Sequence, residues 1–245
     1  MQSRSISDVE WTTRVDLAAA YHLVQLHGWG ESIYNHIAAR VPDRPDMLLM
    51  KRNDITYAEV SASNLVRVDM RLDLDESTGV NRLGYVLHGG VLQARADVAA
   101  SLHLHTAEII ALSCQPEGLL MLSQYAVKFF DRVGYHDYEG LTDGMDERSR
   151  ILQRLGDGIA VILRHHGACT VGQSVGQAFI AAKELVEACR IQLAAQASGI
   201  QLKEITPSIC ARTAQQLKEH DAGRGAADWP AYLRELDKRS PGYRS

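Results

Sequence analysis

The sequence predicts an α/β fold, and three features carry that prediction. Residues 98–104 and 160–166 are apolar enough for buried strands, and each leads into histidines. Each is followed by a stretch with helical periodicity, the first opening at Thr106 and the second at Ser174. A long amphipathic pattern also opens the chain, where Val15, Ala18, Tyr21 and Val24 follow at i+3 steps and Leu17 widens the stripe, as a core-facing helix requires.

In chain order, Ser7 and Asp8 are positioned to cap that first helix, and Gly28 and Gly30 stop it. Residues 33–41 and 47–51 read as strands joined by the turn PDRPD. His36, in the first of them, either lines a pocket or is a satisfied strand histidine. SASNLVRVD, residues 61–69, reads as a short helix, and 71–81 as a turn-rich surface loop. Residues 83–97 form a helix carrying His88, with a packing role or a site role open to it. A short helix over 126–133 precedes GYHDYEG, residues 134–140, which reads as a polar edge strand. Residues 147–158 read as a helix with a glycine stop. The longest helix spans about 175–198, and from Thr206 onward a helical hairpin is expected, with Trp229, Tyr232 and Leu233 as its apolar stripe. The whole chain, 1–245, is expected to be one domain, with a core over about 8–215 and a helical tail over 216–245.

Composition narrows the function. With 46% hydrophobic and 23% charged residues, a net charge of −4 and 245 residues, the chain has a globular composition and lacks the basic footprint of a nucleic-acid binder. MQSRSISDVEW has no apolar signal core, and no run of eighteen apolar residues suggests a membrane span. Cys114, Cys169, Cys189 and Cys210 are scattered without CxxC spacing, which fits reduced thiols and a cytoplasmic location. Cys169 reads as a small core residue.

The chemistry concentrates in SLHLHTAEIIALS, residues 101–113. His103 and His105 are two apart on a strand and therefore face one side. Two neutral imidazoles on one face begin a metal site suited to zinc, iron, manganese, cobalt or nickel. AVILRHHGACTVG, residues 160–172, ends a second strand in His165 and His166, followed by a glycine that permits close backbone approach. Three histidines with open positions describe a catalytic rather than a structural site. In GYHDYEG, Tyr135, His136, Tyr138 and Glu139 are candidates for proton transfer or substrate binding.

These pieces resemble the class II aldolase/adducin family. The resemblance rests on HLHT at 103–106, RHHGACTVGQSVGQAF at 164–179 with the following ELVEACRIQ, and YHDYEG at 135–140. NHIAARVP, SASNLVRVD and GYVLHGGVLQARAD follow in the same order, so it spans roughly residues 8–215. Within the family the chain is closer to the adducin head and its short bacterial relatives than to the sugar-phosphate aldolases.

The resemblance implies a three-layer α/β/α fold with a mostly antiparallel central sheet. It also implies a divalent metal, zinc first with manganese or iron as alternatives, held by His103, His105 and His166. No other cofactor is expected. A homo-oligomer, usually a tetramer, is implied, with sites near subunit boundaries. Two departures matter. The family's glutamate four residues before the helix histidine falls on Gly84, and MKRNDITYAEV has charges where a phosphate-cradling loop would lie. His165 stands where the family usually has Asn.

The resulting expectation is a metal-dependent lyase acting by retro-aldol cleavage or decarboxylation on a small, non-phosphorylated hydroxy- or keto-acid. Glu108 is the first acid/base candidate, with Tyr135 and His136 as alternatives. A non-haem Fe(II) oxygenase on the same histidines and a non-catalytic adducin-like scaffold are the rival expectations. The partners expected are a small-molecule substrate and further copies of the chain, with neither nucleic acid nor membrane.

Overall fold

The computed structural model describes residues 6–140 and 145–245, with side chains described except at Met145 and 220–227. Residues 1–5 of the stretch read for a signal lie outside the described residues, and among those described no helix is long and apolar enough to cross a membrane.

Seven strands make one sheet: β1 (His36–Val41), β2 (Arg44–Met50), β3 (Val66–Asp69), β4 (Ala100–Leu104), β5 (Val133–His136), β6 (Ala160–Leu163) and β7 (Gly167–Gly172). Their order is β3-β2-β1-β4-β7-β6-β5. Only the β5–β6 pair is parallel, so the sheet is mostly antiparallel, as expected. The helices are α1 (Asp8–Leu26), α2 (Arg82–Ala94), α3 (Ala107–Ser113), α4 (Gln124–Val127), α5 (Met145–Leu155), α6 (Val175–Gln196) and α7 (Pro207–Arg239).

Strand alternation sends successive side chains to opposite faces and splits the core in two. On one face Ile37, Ala39, Leu102 and Leu104 pack with Leu17 and Tyr21 of α1 and Phe179 and Leu185 of α6. On the other, Ala38, Leu48, Val161 and Cys169 pack with Val91 and Leu92 of α2 and Ile151 of α5. Helices thus cover both faces of the sheet, giving the three layers expected. The same alternation puts His36 and Ala38 of β1, and Ser101 and His103 of β4, on the α2 face. There His36 pairs directly across from His103, and Ala38 across from Ser101.

Three elements depart from expectation. Residues 61–69 are not a helix. Ser61–Asn64 forms a turn in which the Asn64 side chain accepts from the Ser61 N–H (2.9 Å). Val66–Asp69 then becomes β3, where β-branched alternation lets a buried Val68 pair with Leu48. The helix expected over 126–133 shrinks to the single turn of α4, capped by Ser123, and the chain leaves helical geometry at Asp131, with φ 54°. The expected C-terminal hairpin is one helix of 33 residues that runs through Pro230.

Packing explains why α7 persists. Trp229 and Leu236 are buried in the α1/α6 core, and the Trp229 indole N–H donates to Asp16 Oδ1 of α1 (2.9 Å). Beyond α7 a short 3-10 turn, Pro241–Arg244, brings Tyr243 back onto the chain, where its carbonyl accepts from the Ala62 N–H (2.9 Å). Replacing Trp229 by Ala removes both the indole volume and the bond to Asp16. The expected cost is about 3 kcal/mol, read as a lowered midpoint in urea unfolding without loss of the sheet.

Candidate metal centre

Neighbouring strands bring the histidines together. His103 is the penultimate residue of β4, and His105 follows two positions on, just before Thr106 caps α3 by accepting from the Ile109 N–H. His166 ends the tight connection between β6 and β7, and β7 pairs with β4 so that Leu104 lies opposite Ala168. The contact is close. A Cβ on Gly167 would fall 2.4 Å from the Leu104 carbonyl oxygen and 2.9 Å from His105 Cδ2, so only glycine fits there. His165 adopts φ 58° in the same connection and is exposed, with its side chain outside the cluster. That left-handed geometry is one Asn tolerates well.

The rings of His103, His105 and His166 have centroids 4.6–4.9 Å apart, and each offers a nitrogen to a common locus. Hydrogen bonds set their tautomers. His103 Nδ1 lies 3.1 Å from the Ala168 carbonyl, which can only accept, so this nitrogen carries the hydrogen. His105 Nδ1 lies 2.7 Å from a Glu31 carboxylate oxygen and donates likewise. Both Nε2 atoms are then bare, yet they face each other at 2.7 Å. Two lone pairs at that separation repel unless a cation lies between or beside them. A nitrogen donor set of this kind, with a carboxylate and a carbonyl fixing the far side of two rings, fits a divalent metal.

Burial favours the neutral, ligating form. It holds His103 well below the ordinary histidine range, with the neighbouring imidazoles adding to the effect, and it pushes His166 down to about 4.

Glu31 was not read from the sequence. It reaches the site on the loop between α1 and β1, where Ser32 and Asn35 hold positive φ values of 50° and 55°. Asn35 Nδ2 donates to the Trp29 carbonyl (3.2 Å), and Lys51 Nζ donates to Ile33 (2.9 Å), pinning the loop. Positive φ at two non-glycine residues marks a backbone held by its surroundings.

The other residues singled out in the sequence are not part of the three-histidine cluster, and most have partners of their own. Glu108, in the first turn of α3, pairs with Arg190 of α6 (3.0 Å). Burial tends to raise its pKa, but hydrogen bonding and Arg190 outweigh this and hold it below the usual carboxylate value. Tyr135 and His136 sit on β5, three strands from β4. The Tyr135 hydroxyl accepts from the Leu119 N–H (2.8 Å) under the Arg164 guanidinium, and His136 meets Glu147 (3.3 Å). Glu139 is bound by Arg150 and Tyr138 is exposed. The structure therefore gathers the three histidines into one site and leaves Tyr135 and His136 outside it within a single chain.

Residues 15–193 match the Class II Aldolase and Adducin N-terminal domain family. The chain belongs to that family. A Pseudomonas aeruginosa protein provisionally named for class 2 aldolases is 40% identical over 98% of this chain and 94% of its own length. Mouse alpha-adducin is also 40% identical, over 76% of this chain but only 26% of its own length. An aldolase II superfamily protein from Pseudomonas syringae, solved by crystallography, superposes with a TM-score of 0.91 at 40% identity and 98% coverage of both chains. An L-fuculose 1-phosphate aldolase from Glaciozyma antarctica shares the fold (TM-score 0.82, 21% identity, 100% of this chain and 97% of its own).

At Gly84, where the resemblance led to the expectation of a glutamate in the aldolase branch, the structure shows what fills the space. A Cβ on Gly84 would lie 2.8 Å from the His36 ring and 2.9 Å from Met50 Cε. The His36 ring occupies that volume and stacks on His103 at 4.9 Å. On its other side it meets His88 of α2, which is buried and pushed down to about 4 by desolvation.

Two outcomes are expected. Gly84→Ala should destabilise by about 1–3 kcal/mol through overpacking. Most of that loss should be recovered in Gly84→Ala/His36→Ala, a coupling readable in a double-mutant cycle of urea unfolding. Stability of the metal-free protein should fall as pH drops from about 6.5 towards 4, because the unfolded chain then protonates His88 while the folded chain does not. Below the folded value of His88 its own share of the slope should vanish. His88→Gln should flatten the slope by up to about 1.4 kcal/mol per pH unit, measured by chemical denaturation across that window.

Proposed function

We propose that the chain is a metal-dependent lyase that breaks a carbon–carbon bond in a small, non-phosphorylated hydroxy- or keto-acid, by retro-aldol cleavage or decarboxylation. The observation that carries this reading is the pair of bare Nε2 atoms of His103 and His105 at 2.7 Å, with His166 beside them. These three residues would hold the ion, zinc first by ligand type, with manganese or iron as alternatives. When bound, a divalent ion supplies the Lewis-acid charge that stabilises electron density left next to a carbonyl or carboxyl group.

The chain's own groups do the rest. Glu31 and the Ala168 carbonyl orient two of the imidazoles. Glu108, three residues past His105 and kept ionised by Arg190, is the candidate for moving the proton. Tyr135 and His136, the other candidates, are engaged within their own chain by Leu119 and Glu147, and a homo-oligomeric, tetramer-type arrangement with sites near subunit boundaries is proposed from family membership alone. The non-phosphorylated substrate is supported by the cations near the loop. Lys51 Nζ donates to three backbone carbonyls, and Arg52 is bound by Asp54, so neither offers a free charge for a phosphate. The similarity to alpha-adducin supports a second reading, a scaffold module that keeps the ion for structure.

Metal content and carbon–carbon cleavage separate the two. Protein purified without chelators should carry about one divalent ion per chain, lost in His103→Ala and His166→Ala. A panel of small hydroxy- and keto-acids should yield an aldehyde or carbon dioxide, and Glu108→Gln should slow this about 100-fold or more with metal retained. Metal retained without any cleavage would favour the scaffold, and dioxygen consumption with bound iron would favour an oxygenase. No metal after reconstitution would contradict the lyase outright.

A further inference from the structure

Beside the three histidines runs a second polar line between β4, α2 and β1, made of the buried Ser101 and His88 and the half-buried His36. Its hydrogens are fixed by their acceptors. His88 Nε2 lies 3.1 Å from the His36 carbonyl oxygen, which can only accept, so that nitrogen is an N–H. The same nitrogen lies 2.8 Å from His36 Nδ1. Two N–H groups cannot point at each other across that gap, so His36 Nδ1 is the bare acceptor of a shared hydrogen. At the other end, His88 Nδ1 meets Ser101 Oγ at 2.5 Å, where the hydroxyl donates to the neutral ring. Protonating His88 would reverse only the Ser101 bond and would leave the order at His36 unchanged.

An imidazole whose Nδ1 accepts carries its hydrogen on Nε2. His36 therefore has no lone pair left to ligate a metal. Its Nε2–H has no acceptor among the described residues, and its ring stacks on His103, its direct cross-strand partner. The ring also fills the volume against Gly84. An N–H donor beside a cation site attracts an anionic oxygen and forms a charge-assisted hydrogen bond.

We infer that Ser101 and His88 hold His36 as a fixed neutral Nε2–H donor beside the three histidines, and that this donor receives a carboxylate oxygen of the substrate. The inference deepens the lyase reading and rests on it for the position of the substrate. His36 is then a substrate-binding residue, and His88 and Ser101 are positioning residues that act through it.

Two measurements test it. The first needs no metal. Long-range proton–nitrogen correlation spectra of protein labelled with 15N-histidine should show His36 and His88 both in the Nε2–H form. Ser101→Ala should shift the His88 pattern. A Nδ1–H pattern at His36 would overturn the inference, and because this readout is metal-free it stands even if zinc loading, and with it the lyase reading, fails. The second titrates oxalate into zinc-loaded protein by calorimetry. His36→Ala should keep its zinc but bind oxalate at least about tenfold more weakly, whereas His36→Gln, which retains an N–H donor, should stay within about threefold of the parent. Loss of zinc in His36→Ala would make His36 a ligand, and unchanged oxalate affinity in a folded His36→Ala would make it packing only. Either result overturns the inference. Should His36→Ala fail to fold, His36→Leu and His36→Gln are compared instead, and equal oxalate affinity in the two has the same meaning.

Discussion

Each ring of the HxH pair commits its Nδ1 hydrogen to an oxygen that comes from elsewhere in the chain: Ala168 on β7 for His103, and Glu31 on the α1–β1 loop for His105. This constraint governs the centre. It leaves two bare Nε2 atoms in contact, an arrangement that is unfavourable without a cation and well suited to one. Most of the local structure serves to hold it. Gly167 lets β7 run against Leu104 closely enough for Ala168 to reach His103. The strained Ser32–Asn35 segment, anchored by Lys51, presents Glu31. The sheet register then sets His36 beside His103.

The two polar lines on the α2 face divide the work by tautomer. His103 and His105 carry their hydrogens on Nδ1 and leave Nε2 free to bind an ion, while His36 carries its hydrogen on Nε2 and can only donate. No difference in residue type distinguishes them. The distinction comes entirely from what each Nδ1 faces: a carbonyl or carboxylate in the first case, and an N–H in the second. Burial in this apolar layer keeps His88 and His103 neutral, so their roles are not blurred by a shared proton.

Much of the fold was legible because hydrophobic periodicity and capping residues act locally. The α1 stripe, the strand leading into His103 and His105 and the Ser174 cap of α6 lie where their patterns put them, whereas the strand expected to end in His165 and His166 stops at Leu163 and turns back as β7. The errors came where tertiary contacts outweighed local pattern. Val66–Asp69 is a strand because β2 offers an edge, and α7 passes Pro230 because Trp229 and Leu236 dock on α1 and α6. In the site, HxH and the later histidine were visible as spacing. Glu31 was not, since it meets His105 across 74 residues and nothing in its own neighbourhood marks it. His36 and His88 were seen only as isolated histidines. Their connection depends on α2 lying over β1 and β4, which a linear pattern does not encode.

The central claim is that three imidazoles of this chain converge on one divalent ion through preset tautomers. X-ray absorption fine structure of the zinc-loaded protein tests it most directly. The account predicts three imidazole scatterers, with nitrogens at about 2.0–2.1 Å and the outer-shell pattern of intact rings. A first shell with one imidazole or none, or one containing sulfur, would contradict it.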